Sequence, residues 1–404
     1  MALNRILAVT HETTLTGAPM NLLHLLGWIG GHTGTEVHTL ALSDGPLRHR
    51  FEQVAPVTVL DGSTMAKGLA VAQRGLVQLG SSRAWKPVAR ARYGPQLRSL
   101  DGFDLVYLNS IGSISVLPYL PYAPHVVSHV HELQVAMRTW RPSTEFDLLL
   151  TAPDAWIAAS GAVRDMLTGE YGLPADRVRL HHEFINAKEI AARQVPLREV
   201  ESLRRELRIP ADAAVVMGAG TVDWRKGADL FVQLATEVRR RVREPVYFIW
   251  VGGDLTGTDF ERVRSDIERA GADHVNFVGV KPDPVPWFAM ADVFALTSHE
   301  DPFPLVCLEH AAMGHPIVTY RNGGMPELLE AAGPEAAAGI ADHLDVGGLA
   351  QRVVAFLDDD QLRQKAGDQL RAQVLGQHDL GVAAERLYED LVILSEGPAR
   401  PRPA

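Results

Sequence analysis

Cysteine occurs once, at Cys307, in a chain of 404 residues. An intrachain disulfide is therefore excluded, and so is a zinc site built from several thiolates. Long apolar runs are missing as well: none approaches the roughly 20 consecutive residues that a membrane-spanning helix needs. The opening MALNRILAVTHETTLTGAP lacks the apolar core and cleavage pattern of a secretory signal, so a soluble cytoplasmic protein is expected. Positive charge is also scarce, with 39 Lys+Arg against 49 Asp+Glu and a net charge of -10. A chain without a basic footprint is not expected to bind nucleic acid. No repeat of solenoid spacing is visible. One stretch lacks the opposite sign. From Gly62 to Leu100 there is no Asp or Glu, while Lys67, Arg74, Arg83, Lys86, Arg90, Arg92 and Arg98 all fall there. Such a segment suits a solvated helix pair, or peripheral contact with the anionic inner face of a membrane or with a phosphorylated acceptor.

What is present is ordinary globular material, 46% hydrophobic and 22% charged. The length suits two domains of roughly 150–200 residues, each with its own core. Short apolar runs alternate with helical patterns. Ile6–Thr10, Glu36–Leu42, Val57–Leu60, Asp104–Asn109, His125–His131 and Trp156–Ser160 read as strands, with a helix following Gly17-Ala18-Pro19. A second series starts near Pro210, with strands at Ala214–Met217, Val246–Val251, Val275–Val278, Val293–Thr297 and Ile317–Tyr320. Helices are expected between them at Asp229–Arg241, Asp259–Ala270 and Leu305–Met313. This alternation predicts two doubly wound α/β domains, with ligands at the carboxyl ends of the strands. The expected boundaries are 1–185, 186–380 and 381–404, the last a helix packing back toward the N-terminal domain, followed by a disordered Pro-rich tail from Gly397 to Ala404.

The most informative stretch is ADVFALTSHEDPFPLVCLEHAAMGHPIVTYRNGG, Ala291–Gly324. A strand ends in the acidic turn Ser298-His299-Glu300-Asp301, prolines follow, and a helix starts at Leu305 with Pro304 at its mouth. Gly314 occupies the C-terminal capping position. The free amides of Leu305 and Val306 and the positive helix end form a diphosphate site. Glu309, one turn on and leaning toward the N-terminus, can accept from both hydroxyls of a ribose. Glu300 or Asp301 can take hydroxyls of a linked sugar. The alternative is an ordinary strand–loop–helix unit with surface acids. A second element, VMGAGTVDWRKGADL over Val216–Leu230, puts Arg225 and Lys226 at a strand-end turn. It fits neither the Walker A spacing nor the dinucleotide fingerprint. Its cations are suited to neutralising a leaving diphosphate, or are solvated surface residues.

With these residues in view, the chain resembles the retaining glycosyltransferases of family 4, of the GT-B fold: two Rossmann-like domains facing a central cleft. The resemblance is tightest over Val216–Gly227, Phe248–Gly253, Phe277–Pro304 and Leu305–Glu327. The family's two acids spaced E-x7-E match Asp301 and Glu309, with Phe303, Pro304 and Leu305 between them. Asp301 replaces the usual first Glu, and Glu300 is the other candidate for holding the sugar. Lys226-Gly227 matches the family's phosphate element. Thr221 occupies the place of its companion Arg, which leaves Arg225 as the substitute. The resemblance further implies that Gly17 and Ala18 approach the donor phosphate, and that His131 faces the anomeric carbon. It implies that the nucleotide base is held around Phe277–Pro282, that Gly252, Val280 and Phe303 are among the donor-binding residues, and that Asn109 and Glu132 lie on the acceptor side. It implies transfer of a sugar from a nucleotide-diphosphate sugar to an acceptor hydroxyl, with no metal and no further cofactor. His129 and His131 share one strand face at a metal-ligand spacing, but no third ligand is evident, and His129 reads as a buried, hydrogen-bonded histidine. His181-His182-Glu183 is assigned no chemistry. A GT-B epimerase, a pyridoxal-dependent phosphorylase, for which no Schiff-base lysine is identifiable, and a catalytically silent nucleotide-sugar-binding or scaffold protein of the same fold are the rival readings.

Overall fold

The protein is described from a computed structural model covering residues 3–60, 94, 96–140 and 144–398. The basic segment singled out in the sequence falls largely outside these described residues, as does the end of the C-terminal tail. The chain divides into two compact units. The first comprises Met1–Ala159, Val163–His182 and Ala383–Ala404; the second comprises Ser160–Ala162 and Glu183–Val382.

The first unit holds a seven-stranded parallel sheet in the order β3-β2-β1-β4-β5-β6-β7. Its strands are β1 (Arg5–Thr10), β2 (Glu36–Ala41), β3 (Val57–Val59), β4 (Leu105–Asn109), β5 (His125–Val130), β6 (Ala155–Ala158) and β7 (Val178–Leu180). The second unit repeats the plan with six strands in the order β10-β9-β8-β11-β12-β13. These are β8 (Ala214–Ala219), β9 (Val246–Val251), β10 (Val275–Phe277), β11 (Val293–Leu296), β12 (Ile317–Tyr320) and β13 (Ile340–Ala341). In both sheets the strand order reverses beside the first strand of the unit, between β1 and β4 and between β8 and β11. Ligand crevices open at that kind of reversal.

Strands covered on both faces read as continuous apolar runs. In β8, Val215 and Met217 enter one core with Ile249, Phe294, Cys307 and Leu308, while Val216 enters the other with Phe231, Phe248, Trp250 and Val293. The period of two along a strand makes that division. A recurrent aspartate fixes the strand starts. Asp104, Asp154 and Asp292 each precede a strand and accept from a backbone amide of the neighbouring one, at Arg5 (3.0 Å), Val126 (2.8 Å) and Val215 (2.8 Å). Each satisfies an edge amide that the parallel ladder leaves over.

The charged stretch after Asn186 forms two helices, Ala187–Ala192 and Leu197–Glu206. The last helix, Leu380–Ser395, brings Tyr388 onto the first unit's Trp28 ring and to 2.5 Å from Thr35 Oγ1. β7 and β13, three and two residues long, are too short for periodicity to reveal. Among the described residues, no helix is long and apolar enough to cross a membrane.

Candidate functional site

In the second unit, the turns after β8 and β11 meet at the strand reversal. The β8 turn is built around Asp223, whose carboxylate accepts from the backbone amide of Lys226 (2.9 Å) and from Thr221 Oγ1 (2.6 Å). This aims Lys226 at the acidic turn, where its Nζ lies 2.5 Å from Asp301 Oδ2. Ser298 Oγ donates to the same oxygen at 3.3 Å, and Arg225 reaches within 3.7 Å of it. Both cations of the β8 turn thus converge on one buried carboxylate. Asp301 is the acid that meets the lysine. Glu300, also buried, is held through its amide by the Arg225 carbonyl (3.4 Å).

The acidic turn is gripped by main chain on two sides. Gly227 has φ 66°, and a Cβ there would lie 2.0 Å from Thr297 O. Gly323, also at φ 66°, would place a Cβ 1.8 Å from Asp301 O, and Gly324 would place one 2.3 Å from Pro302 O. Thr297 Oγ1 donates to Gly227 O (2.9 Å), Gly324 N donates to Pro302 O (2.8 Å), and Asn322 Nδ2 donates to His299 O. Only glycine permits both the left-handed backbone and these close approaches.

The helix Leu305–Met313 begins where the turn ends, with Pro304 at its N-cap, no acidic side chain in its first turn, and Gly314 at φ 86° closing its far end. Its leading amides have no partner within the helix. Leu305 and Val306 pack partly on the core. Phe303 is 3% exposed and stacks on His378 at 5.3 Å. Its side chain therefore anchors the turn from the core side rather than projecting from it. Glu309 lies one turn into the helix. The residue keeps some exposed surface, yet the protein packed around it withdraws its carboxyl from water and pushes its pKa up to about 7. Behind it, the Cys307 thiol is fully buried, and burial raises its pKa well above the ordinary value. Gly252 (φ 106°) and the exposed Val280 sit at the carboxyl ends of β9 and β10, where Gly252 N donates to Gly279 O at 2.9 Å. Sequence reasoning passed over Trp224, which is 55% exposed and lies flat on His299 at 4.6 Å. A tryptophan in a polar turn is the signal that could have marked it.

In the first unit, the ends of β1, β4 and β5 meet. Gly17 opens the helix Gly17–His32, with Thr16 at its N-cap and no acid in its first turn. Asn109, the last residue of β4, is wholly buried; its Nδ2 donates to Ala18 O (3.0 Å) and its Oδ1 faces His131 Nε2 (2.9 Å). Glu132, expected on the acceptor side, serves the backbone. It accepts from Ser110 Oγ, from Ile111 N (3.3 Å) and from His131 N (2.9 Å). Ser110 needs that support, because at φ 77° and ψ 153° it occupies a region left almost entirely to glycine, a strain of about 1–3 kcal/mol. His129 is fully buried with Tyr107 Oη 2.5 Å from its Nδ1. Burial, then the neighbouring His131 and His181, hold its pKa well below the usual imidazole value.

Residues 199–373, all within the second unit, match the family described as Glycosyl transferases group 1. The lipopolysaccharide core biosynthesis glycosyltransferase LpsE of Rhizobium meliloti (strain 1021) is 30% identical over 175 residues, 43% of this chain and 48% of that protein. An alpha-galactosylglucosyldiacylglycerol synthase of Streptococcus pneumoniae (strain ATCC BAA-255 / R6) is 34% identical over 152 residues, 36% of this chain and 38% of that one. The chain thus spans half or less of the length of these relatives. Among solved structures, Anabaena HepE in complex with UDP-glucose superposes with a TM-score of 0.76 at 19% identity, covering 96% of this chain and 99% of that one. That likeness and the two doubly wound sheets establish the two-domain α/β fold of the GT-B glycosyltransferases.

Proposed function

We propose that the protein is a retaining glycosyltransferase that moves a sugar from a nucleotide-diphosphate sugar to an acceptor hydroxyl without a catalytic metal. The observation that carries this reading is the convergence of Lys226 and Arg225 on Asp301 at the strand reversal, beside a helix N-terminus with Glu309 one turn in. A diphosphate entering there exchanges the lysine's carboxylate partner for phosphate oxygens. Asp301 is then released to accept from sugar hydroxyls, with Glu300 beside it as the other candidate for that role. The amides of Leu305 and Val306 complete the anion site, and Glu309 accepts from the ribose diol. As the bond from the anomeric carbon to the phosphate oxygen breaks, its electron pair passes to the diphosphate, where Lys226 and Arg225 stabilise the growing charge. The acceptor oxygen bonds to the anomeric carbon from the face the diphosphate leaves, and its proton passes to the departing phosphate oxygen. Configuration is retained.

A panel of nucleotide sugars, headed by UDP-glucose because HepE is seen with it, tests the reading by thermal shift and donor hydrolysis with chelator present. A ligand at a hundredfold its Kd adds about 2.7 kcal/mol of stability. Stabilisation that survives chelator and is lost in Lys226→Ala and Glu309→Ala supports the donor site. If no nucleotide or nucleotide sugar binds, the enzymatic reading is wrong and the silent scaffold takes its place.

A further inference from the structure

Asn109 has too little freedom to act as an acceptor ligand. It is wholly buried at the end of β4, and both halves of its amide are engaged, one with the Ala18 carbonyl at 3.0 Å and the other with His131 Nε2 at 2.9 Å. The two contacts determine each other's chemistry. A backbone carbonyl can only accept, so the amide edge facing Ala18 is the NH2. The opposite edge is therefore the oxygen, which can only accept, and the imidazole nitrogen facing it must carry a proton. Whatever the remaining nitrogen of His131 meets while the ring is neutral, it meets as an acceptor. The backbone around Asn109 is held just as firmly. Ser113 Oγ donates to Asn109 O (2.5 Å), and the next residue is the strained Ser110, braced by Glu132 and by the His129 carbonyl (2.8 Å).

We propose that Asn109 is a positioning residue: it holds His131 as the Nε2–H tautomer and ties that ring to the first turn of the helix after β1 through Ala18, without contacting the acceptor. The helix start expected to approach the donor phosphate and the imidazole expected to face the reacting carbon are thereby set by a single side chain. Any shift of the Ala18 carbonyl is passed to the amide plane, and from there to the ring. The kinetic consequence rests on the function proposed above; the protonation state of the ring does not.

The test uses the full chain labelled with 15N-histidine, with His131 identified among the 16 histidines by its disappearance in His131→Gln. Long-range proton–nitrogen spectra of the wild type should show Nε2 protonated and Nδ1 bare at neutral pH. Asn109→Asp keeps an acceptor toward Nε2 and adds a charge, so His131 should become doubly protonated; Asn109→Ala should leave a mixture of tautomers. A bare Nε2 in the wild type, or a His131 signal unchanged in the folded variants, overturns the assignment. In kinetics, Asn109→Ala should lower kcat for donor turnover about a hundredfold, as expected of a misplaced group, with donor Kd changed by less than about threefold. In a His131→Ala background the same change should alter kcat by less than about twofold, because residues acting through one another are not additive. An equal loss in both backgrounds would mean that Asn109 acts directly, and the proposal fails. Should the wild type turn over no nucleotide sugar, the functional reading falls while the spectra still decide the tautomer.

Discussion

The carboxyl of Glu309 links nucleotide affinity to pH. Burial alone raises its pKa to about 7, while the role proposed for it, accepting from two ribose hydroxyls, requires the ionised form. A site competent only when ionised has its apparent Kd divided by the ionised fraction, which is roughly one-eleventh at pH 6, one-half at pH 7 and ten-elevenths at pH 8. Affinity for UDP-glucose should therefore rise about tenfold from pH 6 to pH 8, and binding at pH 7 should release roughly half a proton. The donor is a diphosphate diester, fully ionised across this window, so the slope reports on the protein. Isothermal titration in buffers of differing ionisation enthalpy measures both quantities. Glu309→Gln, a fixed neutral side chain, should bind more weakly than the wild type does even at pH 6, with no slope. A flat wild-type profile, or a tenfold slope retained in Glu309→Gln, would refute the reasoning. Stability runs in the opposite sense. A carboxyl whose folded pKa is raised contributes stability that is complete below its unfolded value of 4.5 and is lost as pH rises through about 7. Free of ligand, Glu309→Gln should thus be the more stable protein at pH 8, by up to about 3 kcal/mol less what the exposed part of the side chain recovers from water.

Lys226→Ala should cost about 2–4 kcal/mol of transition-state stabilisation, read as a fall in kcat for donor turnover; unchanged turnover would remove Lys226 from the mechanism. Gly323→Ala forces a Cβ to 1.8 Å from Asp301 O and should destabilise the protein by about 3 kcal/mol or more in urea unfolding, where a Tm within a degree of wild type would contradict the described turn. Burial depresses the His315 pKa to about 4, and its Nδ1 lies 3.0 Å from that of His310, whose own pKa burial also lowers. Stability linked to His315 is present above pH 6.5 and lost as pH falls through about 4, up to roughly 3 kcal/mol; His315→Gln should flatten that acid limb in chemical denaturation. Glu132→Ala should lower Tm by removing the support of a strained residue, and wild-type stability in that variant would show Ser110 to be unstrained.

The parallel strands were legible because residues covered on both sides leave unbroken apolar runs, as at Tyr247–Val251. The acidic turn and the helix after it were legible because proline and glycine punctuate both ends of Leu305–Met313. β7 and β13 escaped, since two or three residues carry no period and are recruited by neighbours already paired. Side-chain direction was the other gap. The resemblance put Phe303, Glu132 and Asn109 beside ligands, whereas packing turns Phe303 into the core and backbone amides occupy Glu132. Such outcomes depend on atoms distant in sequence, such as His378 under Phe303 and Ala18 beside Asn109. Conversely, nothing in the sequence said which acid Lys226 would meet, and packing pairs it with Asp301 at 2.5 Å.

Gly227, Gly323 and Gly324 hold the acidic turn by pressing main chain against main chain, so the shape of that turn does not depend on which side chains it carries. Residues projecting from it can be exchanged over evolutionary time without loosening the frame. That gives a physical reason why either Asp or Glu could occupy the first acid position without altering the turn. Diversification of sugar preference should then proceed by replacing the projections, while the glycines beneath them resist every substitution.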